Sequence, residues 1–270
     1  MPENPSPTSW VDLFTDFGNL SRLLIFLATL AILFATMAYV LVRYLKPETI
    51  QLDTAGTVTI TGIGRPAQYL VLLPSSQCWM KTTISLKQGQ RAHILSSGRV
   101  HLSAKNLVLA TDKGQKMIHH TWVGPEGDMS TSSTRLDIQR QAMLIAPGEP
   151  IGSVLAYVSS GKDDPASNCT NARPPGVVSV KANGSIEGEG TLWLTMNDMI
   201  IDPKDEANEK AYISTPEVLR EAGYIDDKGN GYTMEFLRKR WERFKSDGQY
   251  DAFFQDNIGS FLVQVTVEKK

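Results

Sequence analysis

Two cysteines, four histidines and a few paired aspartates are the side chains of this sequence best suited to chemistry. Cys78 and Cys169 sit in polar settings, Ser-Ser-Gln-Cys-Trp and Ser-Asn-Cys-Thr-Asn. Such loop cysteines suit one disulfide closing about 90 residues, which would require an oxidising compartment. Two unrelated thiols are the alternative, although free thiols are more often buried in apolar runs. None of His93, His101, His119 and His120 forms the i, i+4 pair that sets two imidazoles on one metal, and adjacent His119 and His120 point apart in an extended chain. They read as solvated or hydrogen-bonded. Asp163-Asp164, Asp226-Asp227 and Asp202 lie in turn-rich sequence, and nothing selects them as a general acid and base. A phosphate-binding glycine loop, a G-x-S-x-G elbow and a C-x-x-C pair are all absent. No catalytic residue is assigned, and the chain is not expected to be an enzyme.

Charge is concentrated in one segment. Thr233 opens a predicted helix that runs to Ser246 and ends at Asp247-Gly248. Leu237, Trp241 and Phe244 share one face of it, and Arg238, Lys239, Arg240, Arg243 and Lys245 occupy the rest. Arg238, Lys239, Arg240, Trp241, Arg243 and Lys245 suit contact with an acidic partner or anionic lipid. The commoner arrangement is a solvated helix whose apolar face covers the fold. Nucleic acid is not expected, because 27 Lys and Arg against 29 Asp and Glu leave a net charge of −2.

The elements that must carry these residues divide the chain. Leu23–Val42 is LLIFLATLAILFATMAYVLV, uncharged and flanked by Arg22 and Arg43. Twenty helical residues cover about 30 Å, the hydrocarbon thickness of a bilayer. A cleaved signal sequence is the competitor, but residues 1–21 hold no Lys or Arg. The expected organisation is a tail at 1–19, a transmembrane helix at 20–46, and a soluble domain at 47–270. In the tail, Trp10, Leu13, Phe14 and Phe17 fall on one helical face, so Trp10, Phe14 and Phe17 are expected at the membrane interface. Lys and Arg near the span number one before it and two after it, a slight lean toward a cytoplasmic C-terminal domain.

Residues 47–270 read as short alternating strands broken by Gly, Pro, Asn and Ser. Strands are expected at 56–62, 69–73, 83–87, 92–95, 100–103, 107–110, 154–158, 177–180, 191–196 and 260–267. Without strand–helix–strand alternation, an antiparallel sandwich or barrel is expected rather than a doubly wound fold. Residues 201–251 are polar and helix-like, with a first helix starting at Ser214-Thr215-Pro216-Glu217. They read as a helical insertion between two late strands.

Four pieces together resemble the calcium-dependent galactophilic lectins of bacteria. Trp122-Val-Gly-Pro-Glu-Gly-Asp128 is similar to that family's W-G-P-x-G-D turn, with one extra residue. Pro150-Ile-Gly-Ser-Val-Leu155 stands where the family has a Gly-Ala-Leu-Val-type strand. Gly190–Asp198 resembles the strand ending in Asn-Asp, and Gln255–Val267 the closing N-N-S-G-S-F-x-V-x-V strand. The resemblance spans roughly residues 75–267 apart from the insertion, and implies a mainly β, lectin-like (galactose-binding-like) antiparallel sandwich. It also implies calcium on Asp198, Asp256 and Asn257, oxygen donors of the kind Ca²⁺ prefers. The sequence departs from the family in two places. More than fifty residues stand where the family has a few between Asn-Asp and the closing strand, and the family's sugar-binding His and Gln have no counterpart after Asp128. The other reading of Asp198, Asp256 and Asn257 is that they pin loops by hydrogen bonds.

The expected function is a single-span accessory or scaffold subunit of a membrane assembly, meeting lipid and other membrane protein subunits. The alternative is a tethered, calcium-dependent carbohydrate-binding module. The cysteine pair and the resemblance place the soluble domain on the periplasmic side of a bacterial inner membrane, against the slight charge lean.

Overall fold

The computed structural model describes residues 17–44, 48–54, 56–62, 65–102, 122–128, 141–213 and 233–269. Trp10, Phe14, the expected strand at 107–110, the helix start at Ser214–Glu217, and His119, His120, Asp226 and Asp227 lie outside them, as does the Phe17 side chain. The chain forms two units, Met1–Glu48 and Thr49–Lys270.

The first unit contains helix α1, Phe17–Tyr44. Within it Ser21–Leu41 is long and apolar enough to cross a membrane, and none of it is buried in the structure. Two of its hydroxyls are satisfied within the helix. Thr29 Oγ1 donates to the Ile25 carbonyl at 2.8 Å and Thr36 Oγ1 to the Ile32 carbonyl at 2.7 Å, so neither needs water.

The second unit is mainly antiparallel β, in two sheets. Its strands are β1 (Thr49–Leu52), β2 (Val58–Thr61), β3 (Ala67–Pro74), β4 (Met80–Leu86), β5 (Gln90–His101), β6 (Val154–Ser159), β7 (Val178–Ser179), β8 (Asn183–Glu187), β9 (Gly190–Met196) and β10 (Ile258–Lys269). Helices α2 (Glu206–Ile213) and α3 (Met234–Ser246) lie between β9 and β10 in the chain. One sheet has six strands in the order β1-β2-β3-β10-β5-β8, the other four in the order β4-β9-β6-β7. Alternation fixes which faces turn inward. Val71 and Leu73 of β3, Ile94 of β5 and Phe261, Val263 and Val265 of β10 join Ile84, Leu155, Leu192 and Leu194 of the smaller sheet in one buried cluster.

Three differences from the sequence reading have physical causes. Ala92–Leu95 and Val100–Ser103 were expected as separate strands, because Ser96-Ser97-Gly98 looks like a turn. They form one strand, since β10 pairs with β5 along its whole length. Gly98 makes this possible: at φ +110° its backbone sits where a Cβ would lie 2.8 Å from the Ser260 carbonyl. The short strands β1 and β8 carry little strand signal of their own and are edges paired to β2 and β5. Helix α2 is eight residues with weak periodicity, begun by Asp205, whose Oδ1 accepts the Ala207 N–H at 2.9 Å.

Cys78 and Cys169 are disulfide-bonded, with Cα atoms 5.6 Å apart across 91 residues of sequence. The bond ties the start of β4 to the loop after β6. Beside it the buried Trp79 indole donates to the Ala172 carbonyl at 2.9 Å, a second tie to the same loop. Closing so long a loop stabilises the fold by about 4 kcal/mol in the chain-entropy view. Replacing both cysteines by Ser is expected to lower unfolding free energy by about 2–5 kcal/mol, measured by denaturant titration of the detergent-solubilised chain. An unchanged midpoint would show that the bond contributes nothing.

Candidate functional site

The four pieces singled out in the sequence converge on one end of the β unit. Buried backbone groups of these pieces must find partners. The Trp122–Asp128 segment is a turn closed by Gly127 N–H to the Gly124 carbonyl at 3.0 Å. Val123 exchanges two backbone hydrogen bonds with Val100, and Asp128 N–H donates to the Ile151 carbonyl at 2.8 Å. Gly127 has to be glycine: its φ is +75° and a Cβ would meet the Ile151 carbonyl at 2.6 Å. Ile151–Ser153 then meets the end of β9, through Gly152 N–H to the Asn197 carbonyl and Asn197 N–H to the Ser153 carbonyl, both 2.7 Å.

Asn197 is the hub of this end, and sequence reasoning passed over it for its neighbour Asp198. It is fully buried. Its Oδ1 accepts from Ala146 N–H at 2.9 Å, and its Nδ2 donates to the carbonyls of Ala146, Glu149 and Pro150 at 3.0–3.2 Å. One amide thus holds the whole 146–150 turn. The only signal for it was its place in the Asn-Asp pair.

Asp198 and Asn257, 59 residues apart in sequence, are brought together. Asn257 Nδ2 donates to Asp198 Oδ2 at 2.7 Å and to the Ser75 carbonyl at 3.2 Å, and Asp198 Oδ1 accepts the Met199 N–H at 2.7 Å. Both side chains are buried. Ser75, just beyond β3, donates from N and Oγ to the Gly259 carbonyl at 3.1 and 2.9 Å. The ends of β3, β9 and β10 are therefore laced together by one polar cluster. Asp256 precedes Asn257 at a half-buried position. Among the described residues no three His, Cys, Asp or Glu side chains are grouped to hold a metal. Calcium needs about 6–8 oxygens, and these residues fit loop pinning more closely than such a shell.

The insertion has its own apolar cluster, in which Leu237, Trp241 and Phe244 of α3 pack with Tyr212 of α2, Met143 and Ile201. The Tyr212 ring lies 5.6 Å from that of Trp241 and 6.2 Å from that of Phe244. Helix α3 starts as its sequence requires: Thr233 Oγ1 accepts the Phe236 N–H at 3.1 Å. Trp241 is a correction. Expected among the surface contact residues, it is fully buried, because the i, i+4 and i+7 spacing of Leu237, Trp241 and Phe244 turns it inward. Arg238, Lys239, Arg240, Arg243 and Lys245 are exposed. Lys239 pairs with Glu235 at 2.8 Å, which pushes the Glu235 carboxyl down and the Lys239 ammonium up. Arg243 reaches Asp247 at 3.4 Å, Lys245 reaches Glu242 at 3.9 Å, and Arg240 lies over the Phe244 ring at 5.2 Å.

Arg173 was not foreseen either. Its Nε donates to the Leu144 carbonyl at 3.0 Å, one terminal nitrogen to the Ala142 carbonyl at 2.6 Å, and the other meets Asp205 at 2.5 Å. One guanidinium thus couples the 142–144 segment to the start of α2. Of the histidines, His93 Nε2 lies 2.8 Å from Glu268 Oε1. His101 is buried edge-on to Trp122 with ring centroids 5.7 Å apart, and burial lowers its pKa. Asp164 bonds Ser159 Oγ, and Asp202 Oδ1 accepts the Lys204 N–H at 3.0 Å.

No protein-family model and no curated protein sequence matches the chain.

If the Asp198–Asn257 contact holds the loop ends, each single alanine variant is expected to lose about 1–3 kcal/mol. The double variant should lose clearly less than the sum of the two, because they share one buried bond. Additive losses in a denaturant double-mutant cycle would show the two act separately.

Proposed function

We propose that this chain is a single-span membrane-anchored accessory or scaffold subunit. In this reading its β unit is a lectin-like sandwich used for protein contacts, held on the periplasmic side of a bacterial inner membrane. The observation that carries it is the division of labour between the residues flanking the 201–251 region and those within it. The polar groups inherited from the ligand-like motif are engaged inside the fold by Asn197, Asp198 and Asn257. In the described part of the insertion Leu237, Trp241 and Phe244 are buried, while Met234, Phe236 and five bases of helix α3 are exposed. Such a helix suits an acidic protein surface, and confinement by the apolar helix α1 raises encounter with membrane partners. The disulfide supports an oxidising compartment. Purification in mild detergent is expected to recover a stoichiometric partner, lost when Arg238 and Arg240 are both changed to Glu. A lone chain, or a partner indifferent to the reversal, would sink the reading.

A second reading, a calcium-dependent carbohydrate-binding module, is favoured by the convergence of the motif pieces and by the meeting of Asp198 with Asn257. It predicts a rise of several degrees in melting temperature with millimolar Ca²⁺, reversed by EDTA. No shift in either direction excludes it.

A further inference from the structure

The outer face of the four-stranded sheet carries aromatic rings and is covered by its own chain. Register sets Lys81 of β4, Trp193 of β9 and Tyr157 of β6 in one row of that face, with Ser85, Thr191 and Ser159 in the next. They alternate with Leu192, Leu194 and Ala156, which face the core between the sheets. Although they point outward, Trp193 is only 6% exposed and Tyr157 7%. Residues 160–177, the connection from β6 to β7, cross this face as a strap whose buried residues are Pro165, Cys169, Ala172 and Pro174. Its ties all run to this side of the sheet. Cys169 is bonded to Cys78, and the Ala172 carbonyl accepts the Trp79 indole N–H at 2.9 Å. Asp164 accepts from the Ser159 hydroxyl and meets Lys81 Nζ at 3.6 Å, and that Nζ lies 5.3 Å from the Trp193 ring centroid.

We propose that residues 160–172 of this strap are a redox-gated cover, held closed by the Cys78–Cys169 bond and lifted from Trp193 when that bond is reduced. Three features support it. First, the closed state carries local costs. Cys169 has φ +63°, a left-handed conformation that a non-glycine residue keeps only where its surroundings impose it. The Trp193 Nε1 is buried beneath the cover with no hydrogen-bond partner, and so is the Ser179 Oγ on the same face. Second, the cover has a hinge and an anchor. Gly161, at φ +98°, has open space where a Cβ would stand, so rotation there meets no neighbour. At the other end Arg173 is fastened to Ala142, Leu144 and Asp205, which stops the motion. Third, the ties other than the disulfide are weak. Lys81–Asp164 is an exposed ion pair, and the rest are the Ser159 hydroxyl, which also accepts the Gly161 N–H, and the Trp79 indole. A dithiol reductant supplies the two electrons. Its thiolate attacks Cys169 Sγ, Cys78 leaves as thiolate, and the second reductant thiolate displaces Cys169. The reductant becomes a disulfide and its two protons end on Cys78 and Cys169. Both cysteines are buried, so attack requires the Asp164 end of the cover to lift first. This switch is independent of any partner for helix α3.

The test treats the full detergent-solubilised chain with dithiothreitol, caps the thiols with iodoacetamide, and reads hydroxyl-radical labelling of each tryptophan by mass spectrometry. Labelling of Trp193 is expected to rise at least fivefold. That of Trp241, fully buried in the separate cluster around helix α3, is expected to stay within twofold. Unchanged labelling at Trp193 overturns the proposal. So does a parallel rise at Trp241, which would make the bond a staple of the whole β unit rather than of a cover. The uncapped chain with Cys78→Ser and Cys169→Ser is expected to label at Trp193 as the reduced chain does, and a protected Trp193 there overturns the proposal as well. A further measurement starts from the oxidised chain. Asp164→Ala is expected to speed reduction by dithiothreitol at least fivefold with Trp241 labelling unchanged. An equal rate, or a faster one accompanied by labelling of Trp241, shows that the cover does not gate the bond.

Discussion

The central place of β10 is the constraint on which the β unit depends. A strand flanked on both sides must satisfy its backbone groups through its neighbours, and β10 lies between β3 and β5. It is the last strand of the described chain, so the larger sheet is two separate pieces, β1-β2-β3 and β5-β8, until it inserts. Phe261, Val263 and Val265 then bring fully buried side chains to the middle of the core. The helical insertion, the disulfide loop and the polar cluster at the strand ends are arranged around that act of closure. Pairings this distant in sequence make assembly slow by nature.

The polar cluster follows from the same closure. Where β3, β9 and β10 end together, their carbonyls and amides are buried and cannot reach water. Asp198, Asn257 and Ser75 supply partners there from short side chains that turn back on the backbone, and Asn197 does the same for the neighbouring 146–150 turn. A set of residues that resembles a ligand loop is here the fastening of three strand ends. Described residues between Asp198 and Asp256 then form, with Met143, a satellite cluster, and Arg173 and Asn208 tie the 142–144 segment to helix α2.

Much of the β architecture was legible because alternation is a local signature of a half-buried strand. The runs that became β3, β6, β9 and β10 were recognisable from it, as was helix α3 with its Thr233 cap. What escaped were elements whose signal lies in another strand. β1 and β8 are strands because β2 and β5 offer an edge, and β5 runs through Ser96-Ser97-Gly98 because β10 runs beside it. In the site, Asp198 and Asn257 stood out as residue types, whereas Asn197 and Arg173 did not, since their partners are backbone carbonyls that no side-chain pattern announces.

By itself the sequence determined the apolar helix, because crossing length and the absence of charge are properties of one contiguous segment. It also determined the balance of charge and the basic stripe of α3. Tertiary structure alone decided that Cys78 meets Cys169 and that Asp198 meets Asn257. It decided too that Ile50, Leu52, Leu72, Leu95 and Leu262 gather on one outer face. Alternation says that a strand has two faces. Only the register between strands distant in sequence says which residues share one, and only the packing of the second sheet says which face meets water.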